Sequence, residues 1–495
     1  LPNNIPEKLN ISPGETVYYV VQNETVWGPP GTAGVGLPSP IDRRRDVGDS
    51  PDEAHTELRR RQTSTKTVWL SMNTCQQPTT NQTLSAAPPQ LTMYVSTSDG
   101  NQKPGPDVTS EEQEVIALVE GFASVAIQAD KNVYVGVSAP SLPDTFTGPW
   151  NYQIAASIDA PFFESQDNSF LGIVDTDTTS ALLVTGNLTS TGADQKLKDK
   201  WLSADTPFTI FTYAANTTQV DGVRNSFCGL DLAKKDALEV TMGMTDRGED
   251  DIPRQQFHVK GLQGGTTYHG LLAIEGNSTA FGPGVVGGGG RVWRPVKFST
   301  KSDSNCALIF SLPFCSSIAY AAPSNPTLFA DHSQLAALYD NRAQALYKNF
   351  NRSLQQIPCN TTDTAKYSLA RTCDDCARDY KDWLCAVSIP RCTDFSLAVP
   401  PSDALSVRPR NIAAPYYNGS EPPDVERLGW DLSWRERRFA NSSRNAWIDE
   451  TIRPGPYKEV LPCSESCWDV VRSCPASLGF KCPEDGIGVE WGYGE

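Results

Sequence analysis

The chain holds four histidines in 495 residues, His55, His258, His269 and His332, and none stands in a nucleophile or metal motif. Gly-x-Ser-x-Gly and His-Glu-x-x-His are both missing, so neither a hydrolase elbow nor a zinc-protease helix is encoded, and no enzyme is expected. No apolar run reaches the roughly 18 residues that a membrane-spanning helix needs. The nearest stretch, Ala307 to Ala322, is shorter, carries Pro313 and Cys315, and reads as a buried strand followed by a turn. Basic residues are outnumbered 42 to 58, and a net charge of −16 speaks against nucleic acid, whose phosphates demand a basic face. No signal peptide opens the sequence and Leu1 is not a start methionine, so a processed chain is expected. Cysteine too is scarce at first: residues 1–302 contain only Cys75 and Cys228.

After Asn305 that scarcity ends. Eleven cysteines follow, in the spacing Cys306-x8-Cys315, Cys359, Cys373-x2-Cys376-x8-Cys385-x6-Cys392, then Cys463-x3-Cys467-x6-Cys474-x7-Cys482. Such density means a disulfide framework or a metal site. Cys373-x2-Cys376 has the local spacing of half a zinc site, but no histidine lies near it. Ten Asn-x-Ser/Thr sequons decide the matter, at Asn10, Asn23, Asn81, Asn187, Asn216, Asn277, Asn351, Asn360, Asn418 and Asn441. They mark surface loops of a chain that traversed the oxidising secretory pathway, so N-glycans and disulfides are expected, with no metal and no cofactor. Charge is uneven as well: 23 basic and 34 acidic residues precede Asp303, against 19 and 24 from there on. The cysteine-rich part is nearer balance and freer to dock on another protein.

Alternation in 17–20, 133–137 and 152–158, broken at short intervals by Pro, Gly, Asn and Asp, predicts a β-sandwich over 1–160. Residues 28–63, with the triplets Arg43–Arg45 and Arg59–Arg61, read as a disordered insertion; the triplets are processing sites or a solvated loop. A second sandwich is expected over 169–302, fibronectin III-like at its end, where Leu262-x3-Thr266-x-Tyr268 has tyrosine-corner spacing before the Gly287–Gly290 run and a strand at 296–300. Helical periodicity predicts helices over 332–356, capped by Asp331 and Gln334, over 373–383, and over 464–473. Residues 396–462, rich in Pro and Trp, read as a long loop. Asp175-x-Asp177 and the run 246–251 fit no EF-hand loop and read as acidic turns; Asp374-Asp375 reads as a dipole-favoured turn before a helix.

Three segments carry a likeness: FCSSIAYAAPSNP (Phe314 to Pro326), CDDCARDYKDWLCAVSIPRC (Cys373 to Cys392) and LPCSESCWDVVRSCP (Leu461 to Pro475). Together they resemble a Frizzled-like cysteine-rich domain. More closely, FCSSIAYAAP, DYKDWLCAVSIPRC and RPGPYKEVLPC resemble the regulatory subunit of the fungal stretch-activated calcium channel, the mating-induced-death family. The resemblance implies an α+β multidomain chain, tandem β-sandwiches followed by a disulfide-rich, mainly helical domain over 303–495. It implies the pairs Cys306–Cys392, Cys315–Cys385, Cys376–Cys474 and Cys467–Cys482. Cys359–Cys373 is then extra, Cys75–Cys228 bridges the β part, and Cys463 is left over.

The same resemblance implies an auxiliary subunit on the extracellular face of the plasma membrane. It would bind a pore-forming, four-repeat calcium channel subunit, meet the membrane through that channel, and support calcium influx. Trp430, Trp434, Arg437 and Trp447, with Arg435 and Arg438 beside them, have the composition of interface anchors. The plainer reading folds those rings back over the domain's own helices. A cell-wall adhesin or ligand-binding receptor of the Frizzled-like class is the rival function.

Overall fold

The computed structural model describes residues 1–29, 65–80, 88–109, 111–218, 220–233, 238–248, 251–276, 288–359, 361, 366–396, 406–422 and 424–494. The expected insertion at 28–63 lies outside the described residues except at its first two positions, and both arginine triplets lie outside them. The chain is α+β, and strand is its commonest regular state.

Two four-stranded antiparallel sheets form the first unit. One runs in the order Glu7–Ile11, Trp150–Ser157, Lys66–Gln76, Phe122–Ala129; the other Thr16–Val21, Val133–Ser138, Thr92–Ser96, Glu114–Ala117. Their facing sides share one core, with Val68, Leu70 and Met72 from the first sheet and Met93, Val135 and Val137 from the second. Val133, Val135 and Val137 point inward at period 2, as a half-buried strand requires. The outer face of that strand is covered too. A Cβ at Gly136 would stand 1.9 Å from the Pro104 carbonyl oxygen, so only glycine fits beneath that loop.

The second unit repeats the plan. Leu171–Thr176, Ser180–Thr185, Arg254–Lys260 and Glu239–Thr245 form one sheet in that order. Phe208–Ala214, Thr267–Ile274, Arg291–Trp293 and Glu164–Gln166 form the other, and Val296–Ser299 pairs with Thr267–Gly270. The Tyr268 hydroxyl accepts the Gln263 backbone N–H at 2.8 Å while its ring stacks on Phe298, which is how a tyrosine corner closes. Cys75–Cys228 joins the Lys66–Gln76 strand to a helix at Phe227–Ala233 between two strands of the second unit, so the two units are cross-linked.

The last part holds helices α1 (His332–Leu354), α2 (Cys373–Ser388), α3 (Trp434–Ala440) and α4 (Ser464–Ser473). Asp331 caps α1 through the Ser333 N–H, and α2 opens on a capping box in which Thr372 and Asp375 exchange bonds. It is less helical than expected. A hairpin-like pair (Cys306–Ile309, Tyr320–Pro323) and a three-stranded sheet (Arg391–Thr393, Tyr457–Val460, Val407–Arg410) accompany the helices. Nor is 396–462 a plain loop, since it supplies two of those strands, α3 and a π-turn at Ile448–Ile452. The strands escape an apolar pattern because charged residues are buried in them: Lys458 and Glu459 are 1% and 0% exposed.

Two carboxylates join this part to the second sheet unit. Asp175 accepts Lys301 Nζ at 2.6 Å, Arg391 Nε at 3.0 Å and the Ala321 N–H at 3.2 Å. Asp177 accepts the N–H groups of Thr179 and Ser180, the Ser180 hydroxyl, and the Leu308 N–H at 3.0 Å. The residues expected as an acidic turn are thus buried and structural: Asp177 does close the turn at Thr179 and Ser180, while Lys301, Arg391 and the hairpin N–H groups of Ala321 and Leu308 supply the donors that water would have supplied. Beside it, Leu182 packs on Leu308 and Ala319, and His258 meets Phe310 edge-on with ring centroids 4.9 Å apart.

Two expectations follow. Asp175→Ala leaves Lys301 buried without its carboxylate and should lower unfolding free energy by about 3–5 kcal/mol; a denaturant midpoint giving less than about 1 kcal/mol would remove the pair from the seam's stability. Burial lowers the His258 pKa, with Lys260 and His332 acting the same way and Asp177 and Glu239 opposing. The unfolded chain therefore binds the proton first, and stability falls as pH drops through about 6.5 toward the lowered folded value. Thermal midpoints at neutral and mildly acidic pH should separate more for the native chain than for His258→Gln, and equal separations would exclude this ring as a contributor.

Candidate interaction surface

Five disulfides frame the last part: Cys306–Cys392, Cys315–Cys385, Cys359–Cys373, Cys376–Cys474 and Cys467–Cys482. Cys315–Cys385 ties the segment before α1 to α2, in a core with Leu335, Tyr339 and Ile389. Cys376–Cys474 ties α2 to the end of α4, where Phe350 and Val470 pack. Cys463 is unpaired and exposed. Among the described residues no group of His, Cys, Asp and Glu is arranged to hold a metal ion.

The expected anchors do not stay together on the surface. Trp447 is half-buried, edge-on to Tyr339 at 5.8 Å with Arg342 over its face, so it is part of the core rather than a free anchor. Trp430 packs against the cluster of Leu432, Ala440 and Trp491, and Arg437 is paired with Glu426 at 2.8 Å. Folding back wins at Trp430 and Trp447, whose rings find partners within the domain, whereas the Arg437–Glu426 pair lies at the surface with side chains 41% and 66% exposed. Trp434 differs: it is 70% exposed.

The reason lies in α3. Ser433 and Glu436 form a capping box, which fixes the start of a seven-residue helix too short to stand alone. Ala440 at its end is buried with Leu432 and Trp491. The opposite side then presents Trp434, Arg435, Arg438 and the 43%-exposed Phe439. Behind them opens a pocket of about 600 Å³ whose floor is Arg410, Arg444 and Trp491. Glu459, fully buried, accepts Arg410 Nε and Arg444 Nε, each at 2.6 Å. Arg410 also donates to the carbonyls of Phe439 and Trp491, and Arg444 to that of Gly492.

Phe439, Arg410, Arg444, Glu459 and Trp491 escaped the sequence reading. Ser433-x-x-Glu436 was the available signal for α3, whereas nothing local joins Arg410 to positions 444, 459 and 491. Of the sequons, Asn10, Asn23, Asn216, Asn418 and Asn441 are exposed, Asn187 and Asn351 are half-buried, and Asn81, Asn277 and Asn360 lie outside the described residues.

Cys385→Ala removes a bridge that closes 70 residues in sequence, worth roughly 4 kcal/mol by loop entropy, and leaves Cys315 with a free thiol in the core. The amount of that variant at the cell surface should fall to a small fraction of the native level on immunoblots of surface-labelled protein. A native surface level would deny the bridge a structural role.

Among known proteins, the family model described as stretch-activated Ca2+-permeable channel component matches residues 67–495. The stretch-activated cation channel yam8 of Schizosaccharomyces pombe is 35% identical over 399 residues, 77% of this chain and 71% of that relative. The stretch-activated cation channel MID1 of Saccharomyces cerevisiae is 28% identical over 461 residues, 84% of this chain and 75% of the relative. A protein of the same name in Cryptococcus neoformans is 25% identical over 305 residues, 59% of this chain and 46% of the relative. Among solved structures, a glycoside hydrolase domain from Streptococcus pneumoniae gives a TM-score of 0.14 at 10% identity over 48% of this chain and 29% of its own, which is no likeness of fold. The match runs from the Lys66–Gln76 strand through the whole disulfide-framed part and includes every cysteine, and on it the chain belongs to the fungal family of stretch-activated calcium-channel components.

Proposed function

We propose that this chain is an extracellular auxiliary subunit of a plasma-membrane calcium channel. It binds a pore-forming, four-repeat subunit and supports calcium influx by contact rather than by catalysis. The observation that carries this reading is α3: an exposed Trp and two exposed Arg project from the part of the molecule with the densest cross-linking. Rigid aromatic and Arg anchors are what interfaces concentrate their energy in. No helix among the described residues is long and apolar enough to cross a membrane, so on this reading the bilayer is reached through the channel.

The disulfide-framed part over 303–495 plays the role of a Frizzled-like domain in this reading, with its pairs around α2 as the common element. The two sheet units over 1–160 and 169–302 serve as an acidic, N-glycosylated outer spacer. An adhesin is the alternative, and its mark would be capture of a wall polymer in place of a multi-span protein.

The test is co-purification of the channel with the tagged full chain. Trp434→Ala should reduce recovery by about tenfold or more, as loss of a hot-spot aromatic does. Trp27→Ala, at the 45%-exposed ring of the first unit, should leave it unchanged. The reverse order would move the binding face to the sheet units, and recovery of wall glycan without any channel from either variant would favour the adhesin.

A further inference from the structure

The pocket behind α3 has a charge that the rest of the molecule does not explain. Its floor holds two arginines against one carboxylate: Arg410 and Arg444 share Glu459 and turn their remaining donors to backbone carbonyls. That triad keeps an excess positive charge in a nearly dry site, since Arg410 is 4% exposed. At the rim, Arg435 and Arg438 are exposed and form no ion pair among the described residues. Of the acidic side chains on or beside α3, Glu436 caps Ser433 and Glu426 holds Arg437. A basic pocket therefore stands on a chain whose net charge is −16.

Three aromatic rings, Trp434, Phe439 and Trp491, line it among the arginines and Ser442 and Ser443. Trp491 lies beneath Arg410 at 5.5 Å and beside Phe439 at 6.1 Å, and Trp434 lines the same pocket. The geometry points to a docking site for an acidic peptide segment of a partner protein. One or two carboxylates pair with Arg435 and Arg438, and an apolar neighbour lies against Trp434 and Phe439. A guanidinium is planar and always charged, and its parallel donors match a carboxylate fork to fork. An anionic membrane surface suits the site less well, because the net negative chain is repelled by such a surface before the pocket reaches it. This inference rests on the reading that α3 faces a partner, and it adds what chemistry that partner presents.

Full-length protein is titrated with a fluorescein-labelled peptide, Gly-Asp-Leu-Glu-Trp-Asp-Gly, and with the same peptide carrying Asn and Gln for its acids. Phosphatidylserine vesicles and inorganic phosphate are run alongside. The acidic peptide should bind by anisotropy. Its affinity should fall at least about tenfold in the Arg435→Glu/Arg438→Glu double variant, and by a similar factor as salt rises from about 0.05 to about 0.5 M. The amide peptide should not bind, and phosphate should compete only weakly. Circular dichroism checks that the double variant, altered at exposed positions only, stays folded. Equal binding of the two peptides, no binding of the acidic one at millimolar concentration, or vesicle binding abolished by the double variant in place of peptide binding would each overturn the inference. Channel co-purification is scored on the same variant. Peptide binding lost with the channel retained overturns the face assigned above and leaves the pocket; peptide binding unchanged with the channel lost overturns the pocket and leaves the face.

Discussion

A carboxylate removed from water must find its hydrogen bonds inside the protein, and Asp175 and Asp177 find theirs across the junction between the second sheet unit and the disulfide-framed part. Asp175 gathers Lys301 from the connecting segment, Arg391 from the three-stranded sheet and the Ala321 N–H from the hairpin. Asp177 closes its own turn and takes the Leu308 N–H. From the other side, Asp394 accepts the N–H groups of Ser302 and Asp303. Directional bonds from three segments onto two side chains set an orientation that apolar contact alone would leave loose. The placement of α1, and with it the disulfide core, is inherited from that junction.

Beyond the seam, stability is organised differently from part to part. The sheet units rely on facing apolar sides and need one cross-link, Cys75–Cys228, where the helix of the second unit meets a strand of the first. The last part has smaller apolar clusters split among short elements, and five covalent closures stand in for a large core. The helix α3 is held by neither a disulfide nor a large apolar face. A capping box and a few contacts to Trp491 fix it, and its aromatic and cationic side chains are left outward.

Much of the scaffold was legible in local pattern. Period-2 alternation located the Val133–Ser138 and Trp150–Ser157 strands, and the spacing ending at Tyr268 located a turn whose hydroxyl bond is present. Helical periodicity located α1 and α4 closely, because one apolar face against a core repeats on a period that sequence displays. It stopped short at α2, which continues past Trp383 to Ser388. The strands Val407–Arg410 and Tyr457–Val460 were invisible, since Arg410, Lys458 and Glu459 are buried there by partners far away in the chain. The pocket's rim residues were partly legible as an Arg- and Trp-rich stretch, but which rings face solvent was not.

By itself, the sequence determined the disulfide-rich character of the last part, the β nature of the first 300 residues and the likeness to a channel-component family. These are written in residue type and spacing, which need no partner to be read. Only the tertiary structure decided that Asp175 and the turn residue Asp177 are buried joints, that Trp430 and Trp447 fold inward while Trp434 does not, and that Arg410 and Arg444 meet over Glu459. The burial of a charge or a ring depends on what arrives from elsewhere in the chain, and no local pattern records that arrival.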